Sequence, residues 1–233
     1  MNASLPLVLV PGLNCSARVF ADVLPELWRH GSVAIANHTR GDRLSAIAER
    51  ILDDAPARFA LAGFSLGGYI ALEIWRQARE RVARLALLDT SARPETPALT
   101  EARQERAALV RAGRFREAAE HYLPQLFHPI RAGDAALRAT YLRMAEDCGP
   151  DVFLRHIEAI IARPDSRPDL PAIGCPTLVL VGDSDGITPT AHAREMADAI
   201  PGARLVVVPE CGHMSPMERP EAVARALGEW LRA

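Results

Sequence analysis

Lysine is absent from this 233-residue chain, and every one of its 27 basic side chains is arginine. That absence excludes Schiff-base chemistry and a lysine general base, since both need a side-chain primary amine. Cysteine is sparse. Cys15, Cys148, Cys175 and Cys211 contain no C-x-x-C pair, which argues against a zinc site or a disulfide framework and for reduced thiols. No apolar run approaches the roughly 20 residues needed to cross a bilayer. Net charge is also nearly absent, at −2 from 27 basic and 29 acidic residues. Nothing electrostatic therefore favours nucleic acid or an anionic membrane as partner. The first residues, Met1 to Pro6, show no basic segment ahead of the apolar run and no small-residue cleavage pattern. No signal peptide is expected, and the expected location is cytoplasmic. Internal repeats and low-complexity segments are missing as well.

What remains is ordinary globular composition, 49% hydrophobic and 24% charged, at a length suited to one domain with an insertion. Short apolar runs at residues 5–10, 32–36, 58–64, 84–88, 177–181 and 204–208 read as strands. Several are continuous and β-branched, as strands buried on both faces of a parallel sheet tend to be. Helical patterns separate them, at 18–29, 44–52, 65–79, 190–200 and 221–231. The alternation predicts an α/β fold with a mostly parallel six-stranded sheet and right-handed crossovers. Residues 94–170 break the pattern. They hold no strand-like run, and predict helices at 100–112, 114–122, 135–144 and 152–162, with Asp134 and Asp151 as N-caps of the last two. The expected organisation is a core of residues 1–93 and 171–233 with a helical cap, residues 94–170, inserted between strands.

Gly63-Phe64-Ser65-Leu66-Gly67-Gly68 lies between the third apolar run and a helix. A G-x-S-x-G turn in that context holds a serine hydroxyl above the sheet at a helix N-terminus, where developing negative charge is favoured. Serine needs a base to become a nucleophile, and the base needs an orienting acid. His213, beside Gly212 and just past the last strand, is the candidate base. Of the other histidines only His38 also falls in a loop beyond a strand. Asp185 follows the fifth strand by four residues and is the preferred acid. Asp183 and Asp89 also end strands and stay open as alternatives, and all three suit the plain role of turn capping.

The elbow, the order Ser65, Asp185, His213, the parallel sheet and the helical insertion together resemble the α/β-hydrolase superfamily. Gly182-x-x-Asp185-x-x-x-Pro189 and Cys211-Gly212-His213 with Pro220-Glu221 are similar to the small esterases and enol-lactonases within it. The resemblance implies a short form lacking the family's first two antiparallel strands. It also implies an oxyanion hole built from the backbone N–H groups of Leu13 and Leu66, although Pro11-Gly12 stands where the family usually has His-Gly. The implied activity is hydrolysis of a small carboxylic ester or lactone through an acyl-enzyme, with no metal or organic cofactor. C–C bond hydrolysis, elimination or perhydrolysis by the same three residues is the alternative, and a binding protein without turnover is a third. Cys15, Tyr122, Phe127, Phe153 and His156 are candidates for lining the pocket; Arg18 and Arg163 are candidates for meeting an anionic substrate. For oligomeric state, monomer and homodimer both remain open.

Overall fold

Three of the apolar runs are buried at every residue: β1 (Leu7–Val10), β3 (Phe59–Phe64) and β5 (Thr177–Gly182). In the computed structural model, which describes residues 5–233, they join β2 (Val33–Ile35), β4 (Val82–Leu88) and β6 (Arg204–Val208) in one sheet. The strand order is β2-β1-β3-β4-β5-β6, and every neighbouring pair is parallel. The expectation for residues 1–4, that they carry no leader, lies outside the described residues.

Side-chain alternation splits the core into two layers. Leu7, Leu9, Ala62, Leu88 and Leu180 face the helix Pro220–Arg232 through Leu227 and Trp230. Val8, Val10, Leu61, Leu87 and Val181 face the helices Leu44–Asp54, Leu66–Ala78 and Thr190–Ala199. Each fully buried Leu, Ile or Val stabilises the fold by about 1.5–3 kcal/mol relative to exposure. Register also places the site. Val10 pairs with Gly63 and Phe64 with Leu88, so the loops leaving β1, β3 and β4 emerge side by side at the carboxyl edge. Open parallel sheets bind ligands at that edge.

Between β4 and β5 the chain is helical: Pro97–Arg111, Phe115–Glu120, Leu123–Leu126, Ala135–Cys148 and Pro150–Ile161, with 3-10 turns at Pro129–Arg131 and Arg167–Ala172. Asp134 caps its helix as expected, accepting from the N–H groups of Ala136 and Leu137. Asp151 does not cap; it lies within the first turn, and Gly149, at φ 82°, is the boundary residue. Pro150 takes the first helical position, where a missing N–H costs nothing. Pro97 likewise starts its helix three residues earlier than the sequence pattern suggested.

The single helix expected over 18–29 is instead a 3-10 turn, Ala17–Phe20, and one α-turn, Leu24–Leu27. Pro25 has no N–H to donate to the carbonyl of Ala21 and would clash with it in a continuous helix. A further short helix, Ser215–Glu218, follows the His213 loop and was not expected. Among the described residues no helix is long and apolar enough to cross a membrane, and no cysteine is in a disulfide.

Candidate active site

Ser65 joins β3 to the helix behind it in a conformation few residues adopt, φ 54° and ψ −117°. Such backbone costs about 1–3 kcal/mol and persists only where its surroundings enforce it. Here the Ser65 N–H donates to Leu88 O (2.9 Å), and its carbonyl accepts from Gly68 N (2.8 Å) and Thr90 Oγ1 (2.7 Å). Glycine is required on both sides. A Cβ at Gly63 would overlap the carbonyl of Gly67, and one at Gly67 would overlap the carbonyl of Val10. The elbow therefore sits pressed against the end of β1 as well as β4.

His213 Nε2 lies 2.8 Å from Ser65 Oγ, and its Nδ1 lies 2.8 Å from Asp185 Oδ2. Both partners of this contact are buried: His213 is 3% and Asp185 5% exposed. Asp185 Oδ1 accepts from the N–H groups of Ile187 and Thr188 (both 2.8 Å), and Oδ2 accepts from Thr188 Oγ1 (2.7 Å). Burial alone would raise the Asp185 carboxyl. The charge and hydrogen bond of His213, with the bonds from Thr188, outweigh it and hold the group below the usual carboxylate range. An ionised carboxylate only accepts, so the imidazole proton resides on Nδ1 and the Nε2 lone pair faces the serine hydroxyl. The His213 loop is anchored twice. His213 N and Met214 N both donate to Leu126 O (2.8 and 3.2 Å), and buried Glu218 accepts from Gly212 N (3.0 Å) and His128 N (2.8 Å).

The two other carboxylates lie nearby but are otherwise engaged. Asp89, fully buried at φ 45°, accepts from Gly182 N (3.0 Å) and from Ser215 Oγ. Burial, and then the negative charge of Asp185, push its carboxyl well above the usual range. Asp183 accepts from Glu210 N (2.9 Å) and Cys211 N (3.2 Å), bracing the loop after β6 rather than its own turn. Neither contacts His213.

Leu13 and Leu66 both line a narrow cavity of about 40 Å³ beside Ser65 and His213. Leu66 is the first residue of its helix, where an N–H has no intrahelical acceptor, and Leu13 N–H has no acceptor among the described residues. The loop carrying Leu13 is tightly held. Asn14 adopts φ 59° and donates to Tyr141 Oη (3.1 Å). Gly12 O accepts from Cys15 N (3.1 Å) and from His38 Nε2 (3.1 Å). Gly12 C=O and Leu13 N–H belong to one planar trans unit and point in opposite directions, so fixing the carbonyl fixes the N–H. His38 is stacked on His156 at 4.8 Å between ring centroids, and His156 Nε2 donates to His38 O (2.9 Å). Burial lowers both, His38 to about 3 and His156 to about 4, with the neighbouring His156 lowering His38 further. Both are neutral at ordinary pH.

Of the residues expected at the pocket, Cys15 and Tyr122 line the cavity. Phe127 and Phe153 pack into the core instead, Phe153 edge-on to Phe115 within the insertion, and His156 belongs to the stacked pair. Arg18 is exposed and paired with Asp147. Arg163 is spent on Glu95, Arg93 O and Ile160 O. Sequence reasoning missed Thr90, Thr188, Glu218 and the Gly12 contact of His38. Thr188 alone carried a local signal, a hydroxyl three residues beyond Asp185 and able to reach back.

Three comparisons bear on this arrangement. The model of the alpha/beta hydrolase family matches residues 7–226. A pimeloyl-[acyl-carrier protein] methyl ester esterase of Aromatoleum aromaticum is 30% identical, over 97% of this chain and 98% of that protein. A malate-bound structure of a thermophilic esterase from Thermogutta terrifontis superposes with a TM-score of 0.90 at 32% identity, covering 99% of this chain and 90% of that one. An enol-lactonase from Burkholderia xenovorans gives 0.88 at 26% identity, covering 100% and 93%. With the family's model spanning nearly the whole length and enzymes of that family among its relatives, this chain belongs to the alpha/beta hydrolase family.

Proposed function

We propose that the protein hydrolyses a small carboxylic ester or lactone through an acyl-enzyme on Ser65. His213 Nε2 takes the Ser65 proton as Oγ attacks the carbonyl carbon. The N–H groups of Leu13 and Leu66 receive the oxyanion. Asp185 holds the imidazolium, which protonates the leaving alkoxide. His213 then deprotonates a water, and its attack on the acyl group releases the acid and frees Ser65. Each backbone donor of this kind contributes about 3–4 kcal/mol to lowering the barrier. The observation that carries the reading is the unbroken chain of two 2.8 Å contacts from Ser65 through His213 to Asp185, opening on a cavity. One water needs about 10–15 Å³. A cavity of about 40 Å³ therefore suits only a few heavy atoms on one side of the scissile bond. The names of the two esterases and the enol-lactonase support the same class.

Intact mass after treatment with a fluorophosphonate tests it. One adduct on wild type, lost in Ser65→Ala, is expected. In H₂¹⁸O the acid product of a small ester must carry one ¹⁸O. Folded wild type that takes no adduct, or a product without ¹⁸O, overturns the proposal.

A further inference from the structure

Outside the narrow cavity lies a larger groove of about 460 Å³, lined by five arginines and by no aspartate or glutamate. In a chain of net charge −2 this is a local reversal of sign beside the nucleophile. Four of the arginines have carboxylate partners that do not themselves line the groove, three of them being Arg93 with Glu195, Arg163 with Glu95, and Arg167 with Asp165. Arg106 stacks on the Tyr122 ring at 4.6 Å and donates to Ala102 O, with no acidic partner. Arg103 bonds the same Glu95 that Arg163 uses, through Nε, so one carboxylate serves two guanidiniums. Neither Nη of Arg103 has a protein acceptor among the described residues.

Arg103, with Tyr69, Tyr122 and Ile187, lines both the groove and the inner cavity, and so stands at the neck between them. Its side chain is only 13% exposed, which limits screening of its charge. Tyr122 lines the same neck, and its Oη is buried with no hydrogen-bond partner. An O–H without an acceptor and two free guanidinium NH₂ groups are the complement of a carboxylate, which accepts at both oxygens. A structural cross-link from Arg103 through Glu95 to Arg163 explains the Nε contact. It explains neither the unpaired Nη groups, nor the orphaned Tyr122 hydroxyl, nor a groove wall without acids.

We propose that the substrate carries a carboxylate on the half of the ester or lactone that leads outward, and that Arg103 and Tyr122 hold it at the neck. The proposal rests on the ester or lactone hydrolysis given above. Binding to a guanidinium already fixed by Glu95 freezes few rotamers, so the charge is read at low entropic cost. The positive groove draws such anions toward the site.

Two matched ester pairs test this. Monomethyl glutarate against methyl 5-methylhexanoate places the anion on the acyl side. 4-Acetoxybutanoate against 4-methylpentyl acetate places it on the alcohol side. In one pair wild type is expected to favour the anion in kcat/KM by about 10- to 100-fold, the scale of a charge-assisted contact. Arg103→Gln must collapse that ratio toward one, whatever happens to the neutral ester. On wild type itself, raising NaCl from about 0.02 to about 0.5 M must shrink the ratio, which keeps the test alive if the variant folds poorly. Ratios near one in both pairs, or a preference that survives Arg103→Gln, overturn the proposal. If none of the four esters is cleaved, hydrolysis itself is in question. Calorimetry of glutarate with Ser65→Ala then decides the anion site alone. Saturable binding that Arg103→Gln weakens at least tenfold supports the proposal, and no binding overturns it.

Discussion

Asp185→Asn is the sharpest perturbation of the Ser65–His213–Asp185 chain. The substitution keeps shape, and Oδ1 still accepts from the N–H groups of Ile187 and Thr188, which fixes which way the amide lies. Its –NH₂ then replaces Oδ2, the atom facing His213 Nδ1 at 2.8 Å. An amide nitrogen only donates, so Nδ1 must give up its proton and Nε2 must carry it. Nε2–H cannot accept the hydrogen of Ser65 Oγ, and the general base is lost with the backbone undisturbed. A wrong tautomer of this kind lowers kcat about 10⁴-fold, which is about 5 kcal/mol at 1.36 kcal/mol per factor of ten. Asp89→Asn is the control. Its carboxyl already sits high, it contacts Gly182 N and Ser215 Oγ rather than His213, and its neutral isostere relieves repulsion with Asp185. It should change kcat by less than about threefold. The assay is p-nitrophenyl acetate hydrolysis corrected for the spontaneous rate, with thermal denaturation beside it. Asp185→Asn retaining a tenth of wild-type kcat would refute the tautomer argument, and a collapse on Asp89→Asn would move the orienting role to the end of β4.

Acid should destabilise the fold through His38 and His156. Their folded values are lowered from 6.5 to about 3 and about 4, so below pH 6.5 the unfolded chain binds protons that the folded chain refuses. Stability is present above 6.5 and falls as the pH drops toward 4, at up to about 1.4 kcal/mol per unit for each histidine. Tm measured from pH 7 to 4 should fall less steeply in His156→Phe than in wild type, and parallel slopes would contradict the account. His38→Leu removes one of the two bonds to Gly12 O and should cost about 1 kcal/mol, a roughly fivefold loss of kcat with KM little changed. His38→Gln, whose amide reaches the same carbonyl, should restore most of it; a loss confined to KM would show that the loop is not being held for catalysis.

The strands were legible because parallel strands covered on both faces must be apolar along their length, as β1, β3 and β5 are. Ser65 was legible because its steric demands fall on residues two positions away, inside one short motif. His213 and Asp185 could be placed from the strand ends that carry them. The supporting contacts could not. Thr90 to Ser65 O, His38 to Gly12 O and Glu218 to His128 N bridge 25, 26 and 90 residues of sequence. Each is a single polar contact made possible only by where the strands end, and a lone Thr, His or Glu carries no pattern of its own. The broken segment around Pro25 shows the opposite failure, where apolar periodicity was followed past a residue whose local chemistry forbids the helix.

β4 and β5 are neighbours in the sheet, paired from Leu85 with Thr177 to Leu88 with Leu180, although the whole helical insertion separates them in the chain. The insertion leaves β4 at Leu88 and enters β5 at Thr177, three residues back in register, so its two ends lie roughly 11 Å apart, from about 3.3 Å per residue along the strand and about 4.8 Å across. Closing a longer or shorter excursion between two such points changes the entropy of the chain only slowly, by about 0.6 kcal/mol per doubling of length. Chain entropy consequently tolerates a change in the length of the segment that shapes the groove, while the sheet edge carrying Ser65, Asp185 and His213 keeps its register. Recombination experiments can exploit the same junction: grafting an insertion from a relative between Ser91 and Thr177 keeps Asp89 and Thr90 and replaces the walls of the site without cutting a strand, provided the graft offers a counterpart of the Leu126 carbonyl that anchors His213.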